Sequence, residues 1–235
     1  MIRVKICGIT NWSDARAACD AGADLLGFNF YDKSLRRIST AVAANIRGKL
    51  PKNVEAVGIF VNAKPAEIIS LHGFVRFNTA QLHGDETPGI VSDVSRTVPV
   101  IKAFRVAAEF NLTTLDRYLD VTAFLFDAAR AGQYGGTGTT TNWVLAKRAA
   151  VSHRIILSGG LTPENVAAAI RSVHPYAVDV ASGVESKPGK KDHSKVQAFI
   201  QEVRRIEKEL EAKPEKSEKS PEKETEKSSG TSSAS

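Results

Sequence analysis

Residues 154–183 begin Arg154-Ile155-Ile156-Leu157-Ser158-Gly159-Gly160-Leu161-Thr162-Pro163 and end Ala177-Val178-Asp179-Val180-Ala181-Ser182-Gly183. Two short apolar runs thus flank one helix-length segment, and each run ends on a glycine-bearing turn. A short apolar run between turn signals suits a parallel strand covered on both faces. The segment between them, Pro163–Val173, carries start chemistry for a helix. Thr162 can cap it, and Pro163 supplies a preset φ and lacks an N–H that the first turn would leave unpaired. The stretch reads as one β-α-β unit.

The same unit repeats outward from here almost to both ends. Strands are expected at Ile2–Ile6, Asp24–Phe28, Glu55–Phe60, Thr79–Leu82, Val98–Phe104, Ala123–Phe126, Arg154–Leu157 and Ala177–Val180. Helical stretches fall between them, for instance Ser13–Ala21, Pro65–Leu71 and Leu112–Leu119. A last helix over His193–Leu210 sets Val196, Phe199, Ile200, Val203, Ile206 and Leu210 on one stripe. Eight strand–helix alternations imply a parallel sheet closed into a single α/β barrel, (β/α)8, over residues 1–211. An open doubly wound sheet is the alternative. Closure is preferred because the strands number eight and no GxGxxG follows the first.

After Glu211 the composition turns to Lys, Glu, Ser, Pro and Thr, which cannot bury enough surface to offset ordering entropy. Residues 212–235 are expected to be a disordered charged tail. They contain five Lys and five Glu, so the formal charge of +6 belongs to the rest of the chain, where it is dispersed. Dispersed positive charge suits anionic small molecules and gives no nucleic-acid footprint. No apolar run is long enough to span a bilayer. The first six residues are too short and charged for a signal peptide and read as a strand. Two cysteines, Cys7 and Cys19, form no disulfide framework or metal-ligand spacing, which points to the cytoplasm.

Strand periodicity places the chemistry. On the first strand Ile2, Val4 and Ile6 form one face and Arg3, Lys5 and Cys7 the other; the apolar set should pack outward on helices, so Lys5 and Cys7 point inward. On the sixth, Phe124 and Phe126 share a face, leaving Asp127 inward at the strand's C-terminal end. Active sites of this fold lie at that end. A thiol and a carboxyl there suit a reaction that delivers one proton and removes another. From position alone a cysteine such as Cys7 is more often an inert small hydrophobe, and Asp127 could cap a loop or pair with Arg130. Cys19, on a helix among alanines, reads as packing.

Gly159 and Gly160 after strand seven, with Ser182 and Gly183 after strand eight, form a phosphate-site pattern. Their backbone N–H groups can approach an anion, and a short helix from Ser182 would aim its positive end there. Neither loop needs a metal. The loop after strand two, residues 31–37, offers Arg36 or Arg37 to a carboxylate. Gly132–Gly138 is a long glycine-rich loop suited to closing over the mouth; without a GK[ST] ending it is not a P-loop.

Read together, the segments resemble the phosphoribosylanthranilate isomerase family. They are Val4–Thr10 (VKICGIT), Gly22–Phe28, Phe30-Tyr31 with Lys33-Ser34 and Arg36, Gly58–Asn62, Gln81–Glu86 (QLHGDE), Tyr134–Gly138, Leu157–Leu161, Asp179–Glu185 and Pro188–Asp192. The resemblance covers everything except the tail. It implies a cofactor-free Amadori rearrangement in tryptophan biosynthesis, N-(5-phosphoribosyl)anthranilate becoming 1-(2-carboxyphenylamino)-1-deoxyribulose 5-phosphate. It makes Asp127 the general acid at the furanose oxygen and Cys7 the general base at C2, its thiolate favoured by Lys5 or by the substrate's cationic imine. It gives the anthranilate carboxylate to Arg36 and the phosphate to the loops after strands seven and eight. His83 and Asp179, at strand ends, are further substrate-binding candidates, equally open to structural roles.

The expected partner is a phosphorylated small molecule, with neither membrane nor nucleic acid, and the chain a monomer or homodimer. Three departures from the family pattern stand out: Asp32 where proline is usual, Asn78-Thr79-Ala80 in place of an aliphatic run, and Thr139-Thr140-Thr141. The rivals are other phosphate-binding barrels, either indole-glycerol-phosphate synthase or the histidine-pathway isomerase, and a non-catalytic scaffold barrel.

Overall fold

The structure is a computed structural model and describes residues 1–107, 109–128 and 142–212. Its strands are β1 (Arg3–Cys7), β2 (Leu25–Asn29), β3 (Glu55–Phe60), β4 (Thr79–Leu82), β5 (Val100–Val106), β6 (Ala123–Ala128), β7 (Ile155–Leu157) and β8 (Ala177–Val180). They close into a barrel in sequence order. β1 pairs in parallel with both β2 and β8, so the sheet has no edge and the open-sheet alternative falls. Around the barrel run α1 (Trp12–Ala21), α2 (Thr40–Lys49), α3 (Pro65–Val75), α4 (Pro88–Ser95), α5 (Trp143–Ala150), α6 (Val166–Val173) and α7 (His193–Ala212).

Strand parity divides the apolar residues into two layers. Leu25, Val57, Ile101, Ala103, Ala123, Leu125, Ile156 and Ala177 fill the inside of the barrel. Val4, Ile6, Phe124 and Phe126 point the other way and meet the helices, where Val196, Phe199, Ile200, Val203 and Ile206 of α7 are buried as the stripe predicts. Each such side chain contributes about 1.5–3 kcal/mol relative to exposure. The inner layer is interrupted by Lys5, which is wholly buried. A charge in that place costs stability unless it is paired, and it marks where apolar filling gives way to chemistry.

Several local expectations shift. The helix expected at Pro163 begins at Val166 instead. Asn165 donates to the Gly160 carbonyl at 2.8 Å and accepts from the Thr162 N–H at 2.8 Å, closing a turn that delays the helix and takes over the capping place given to Thr162. Leu112–Arg117 is a 3-10 helix rather than an α-helix. Asn111 takes both the N–H and the hydroxyl of Thr113, and β-branched threonines favour the α-helix poorly. Strand four is unperturbed by Asn78-Thr79-Ala80, since Asn78 Oδ1 accepts from the Ala56 N–H at 2.9 Å and continues the β3 ladder. A hairpin unforeseen in the sequence, β9 (Glu185–Lys187) with β10 (Lys190–Lys191), follows β8. α7 runs to Ala212, one residue into the expected tail; residues 213–235, Arg130 and the Gly132–Thr141 segment lie outside the described residues.

Candidate active site

The C-terminal strand ends surround a cavity of about 810 Å³. Cys7, Arg36, His83, Asp127, Gly159, Gly160, Asp179 and Ser182 all line it. The inward placement expected for the thiol and the carboxyl is therefore what parity delivers, on strands three apart around the ring. Gly183 does not line the cavity and does something else. A Cβ built on it would lie 1.9 Å from the Leu161 carbonyl oxygen, so the loops after β7 and β8 touch only because this residue is glycine. Gly183→Ala must part them, and overpacking of this kind costs about 1–3 kcal/mol. We expect a lower Tm together with a raised KM; an unchanged KM would show that the two loops need not touch to hold the substrate.

Register explains the charges on the floor. β1 pairs with β8 so that Lys5 stands beside Asp179. Lys5 Nζ donates to Asp179 Oδ1 at 2.8 Å, and the Ser158 hydroxyl donates to Asp179 Oδ2 at 3.0 Å. Burial alone would push the Lys5 ammonium down, but Asp179 and Cys7 more than offset it and hold it above an ordinary lysine. For the Cys7 thiol, burial pushes up, Lys5 pulls down and Asp179 pushes up again; the net is a raised thiol. Lys5 thus acts in the expected direction without prevailing, because burial outweighs it and Asp179 adds to the burial.

Around Asp127, His83 Nε2 lies 3.4 Å from Oδ2, and the Gln81 amide is 3.0 Å from His83 Nδ1. Gln81 carries no signal in the sequence beyond its place in the QLHG segment, yet it is 1% exposed and lines the cavity. A second buried pair, Lys102 Nζ to Glu86 Oε2 at 2.8 Å, lies on the helix side of β5 and reaches the Leu82, Gly84 and Ala103 carbonyls. It braces the ends of β4 and β5.

Of the two arginines offered by the loop after β2, only Arg36 lines the cavity. Arg37 pairs at the surface with Asp32 at 2.8 Å, which also absorbs the negative charge that departs from the family pattern. Among the described residues, the N–H groups of Gly159, Gly160, Ser182 and Gly183 have no hydrogen-bond partner. The turn after β8 is a single 3-10 turn, Ser182–Val184, shorter than the helix expected there. Among the described residues no group of three His, Cys, Asp or Glu is placed to hold a metal ion.

Fold and site together define a class, a (β/α)8-barrel enzyme whose mouth sets a thiol and a carboxyl beside the glycine turns that follow β7 and β8. A family model described as N-(5'-phosphoribosyl)anthranilate (PRA) isomerase matches residues 4–202, and the chain belongs to that family. A relative from Pelobacter propionicus named N-(5'-phosphoribosyl)anthranilate isomerase is 50% identical over 200 residues, 85% of this chain and 94% of its own length. The crystal structure of phosphoribosyl anthranilate isomerase from Thermotoga maritima has a TM-score of 0.81 and 43% identity, covering 87% of this chain and 99% of that one. Another phosphoribosyl anthranilate isomerase, solved in complex with reduced 1-(o-carboxyphenylamino)-1-deoxyribulose 5-phosphate, has a TM-score of 0.78 and 41% identity, with the same coverage.

Proposed function

We propose that Cys7 and Asp127 divide between them the proton transfers of PRA isomerisation, the step of tryptophan biosynthesis that this family performs. The observation that carries the reading is their shared cavity: one ionisable group on β1, the other on β6, with the glycine loops after β7 and β8 on the same wall. Asp127 gives its proton to the furanose oxygen as the C1–O bond breaks, and the nitrogen lone pair forms the C1=N bond of a cationic Schiff base. The Cys7 thiolate then takes the C2 proton. The electrons of that C–H bond form C1=C2 and neutralise the imine, giving an enolamine that tautomerises to the ketone. Since burial keeps the thiol raised in the free protein, the positive imine is the charge that favours the thiolate when it is needed.

The phosphate sits on the unpaired N–H groups of Gly159, Gly160 and Ser182, with Gly183 holding the two loops together, and Arg36 takes the anthranilate carboxylate. His83 acts through Asp127, and Asp179 through Lys5, rather than on the substrate. Removing the clamp with Arg36→Met should raise KM about tenfold or more with kcat little changed, the signature of lost uniform binding. An unchanged KM would move the clamp elsewhere.

The partner is a phosphorylated small molecule, and the chain works as a monomer or homodimer in the cytoplasm. Among the described residues no helix is long and apolar enough to cross a membrane. The test of the whole reading is genetic. The chain should restore growth without tryptophan to an auxotroph lacking this step, and its Cys7→Ser form should not; failure of the unaltered chain, when expressed and folded, would sink it.

A further inference from the structure

Arg36 does not stand alone in the cavity. Its Nε and Nη2 donate to Glu185 Oε1 and Oε2 at 2.9 and 2.8 Å, a two-point fork across 149 residues of sequence. Glu185 opens the hairpin after β8 and is itself held from behind: Lys191 Nζ donates to Glu185 Oε1 at 3.0 Å and to the Ala181 carbonyl at 3.1 Å, and the Gly189 N–H reaches Oε1 at 3.3 Å. The side chains of Lys191 and Glu185 are 0% and 4% exposed, that of Arg36 16%. The cluster is therefore closed at its back and open only at Arg36.

Three details give this arrangement a direction. The fork occupies one edge of the guanidinium, and among the described residues Nη1 makes no hydrogen bond, so the other edge is presented outward. The stem of Arg36 lies on Gly8, the residue after Cys7. Gly8 has φ +78°, and a Cβ there would come within 2.6 Å of Arg36 Cδ, so the arginine is seated against the end of β1. Finally, two cations against one carboxylate leave the cluster with a single positive charge. A bare Arg36–Glu185 pair would be neutral and would set an acid beside an anionic substrate; Lys191 removes that conflict.

We propose that Glu185, neutralised from behind by Lys191, is a positioning residue that aims Arg36 at the substrate carboxylate. The proposal rests on the reading of Arg36 as the carboxylate clamp. Nothing in the spacing of Glu185 and Lys191 announces it, because the contact is made by loops after β2 and β8 that meet only when the barrel closes.

The test measures a preference rather than an activity. Calorimetry would give Kd for reduced 1-(o-carboxyphenylamino)-1-deoxyribulose 5-phosphate and for its phenylamino counterpart lacking the carboxylate, with the unaltered protein, R36M and E185Q. R36M should abolish the preference for the carboxylated compound; if the preference survives, the clamp reading itself fails. E185Q should reduce the preference by about tenfold, since a glutamine can accept from one arm of the fork but turns an N–H toward the other, while the compound without carboxylate binds as before. If R36M abolishes the preference and E185Q retains it, or weakens both compounds equally, Glu185 is only a scaffold of the hairpin and the proposal is overturned. Should E185Q not fold, Glu185→Asp keeps the charge one methylene short of the fork. It should lose part of the preference, and full retention would equally overturn the proposal.

Discussion

Cys7→Ser is expected to lower kcat by at least about 10²-fold while the barrel persists, the usual worth of a general base. Serine is close to cysteine in size and sits in the same partly open place at the end of β1, so packing changes little. What changes is the acid: a hydroxyl does not ionise in the range where a thiol does. The pH dependence then identifies the group. Burial, opposed by Lys5 and reinforced by Asp179, holds the thiol above its ordinary value, so little thiolate exists in the free protein at neutral pH. Because the base must be deprotonated to act, kcat/KM of the unaltered enzyme should rise with pH through an ionisation above that of an ordinary thiol. That rise should be missing from Cys7→Ser. A serine variant with near-normal kcat, or with the same alkaline rise, would take Cys7 out of the reaction.

The architecture was legible because it depends on a short-range rule repeated eight times. Apolar runs and helix-length spacers name β3, β4 and β8 to the residue, and parity on β1 and β6 turns Lys5, Cys7 and Asp127 inward without any knowledge of their neighbours. What parity cannot supply is pairing between segments distant in sequence. Asp179 reads as either a substrate contact or a structural residue, and the sequence shows neither the β1–β8 register that sets Lys5 on one of its oxygens nor the turn after β7 that sets Ser158 on the other. By charge and position alone Arg36 and Arg37 are indistinguishable, and only the family resemblance separates them until one meets Glu185 and the other Asp32. Local boundaries fail where a side chain competes with the backbone, as Asn165 does at the start of α6 and Asn111 does before the 3-10 turn. For Asp179 and Arg36 the missing partner is fixed by tertiary structure, whereas at Asn165 and Asn111 it lies within five residues and the missing information is which local hydrogen bond wins over the helix.

Asp127→Asn should also cost at least about 10²-fold in kcat, and by a different step. The amide is isosteric with the carboxyl and can still meet His83 Nε2, which stands 3.4 Å from Oδ2, but it has no proton to give to the furanose oxygen. Ring opening then limits the rate, whereas in Cys7→Ser the limit is removal of the C2 proton. Deuterium at C2 separates the two. With Cys7→Ser the labelled substrate should react more slowly than the unlabelled one, because the C–H bond breaks in the slow step. With Asp127→Asn the isotope effect should collapse toward unity, because the slow step precedes that bond. A large C2 isotope effect in Asp127→Asn would mean that ring opening does not depend on this carboxyl, and the acid would have to be sought elsewhere in the cavity. His83→Gln sharpens the comparison. If His83 works only by holding Asp127, its loss should reduce kcat less than Asp127→Asn does while leaving the same near-unity isotope effect.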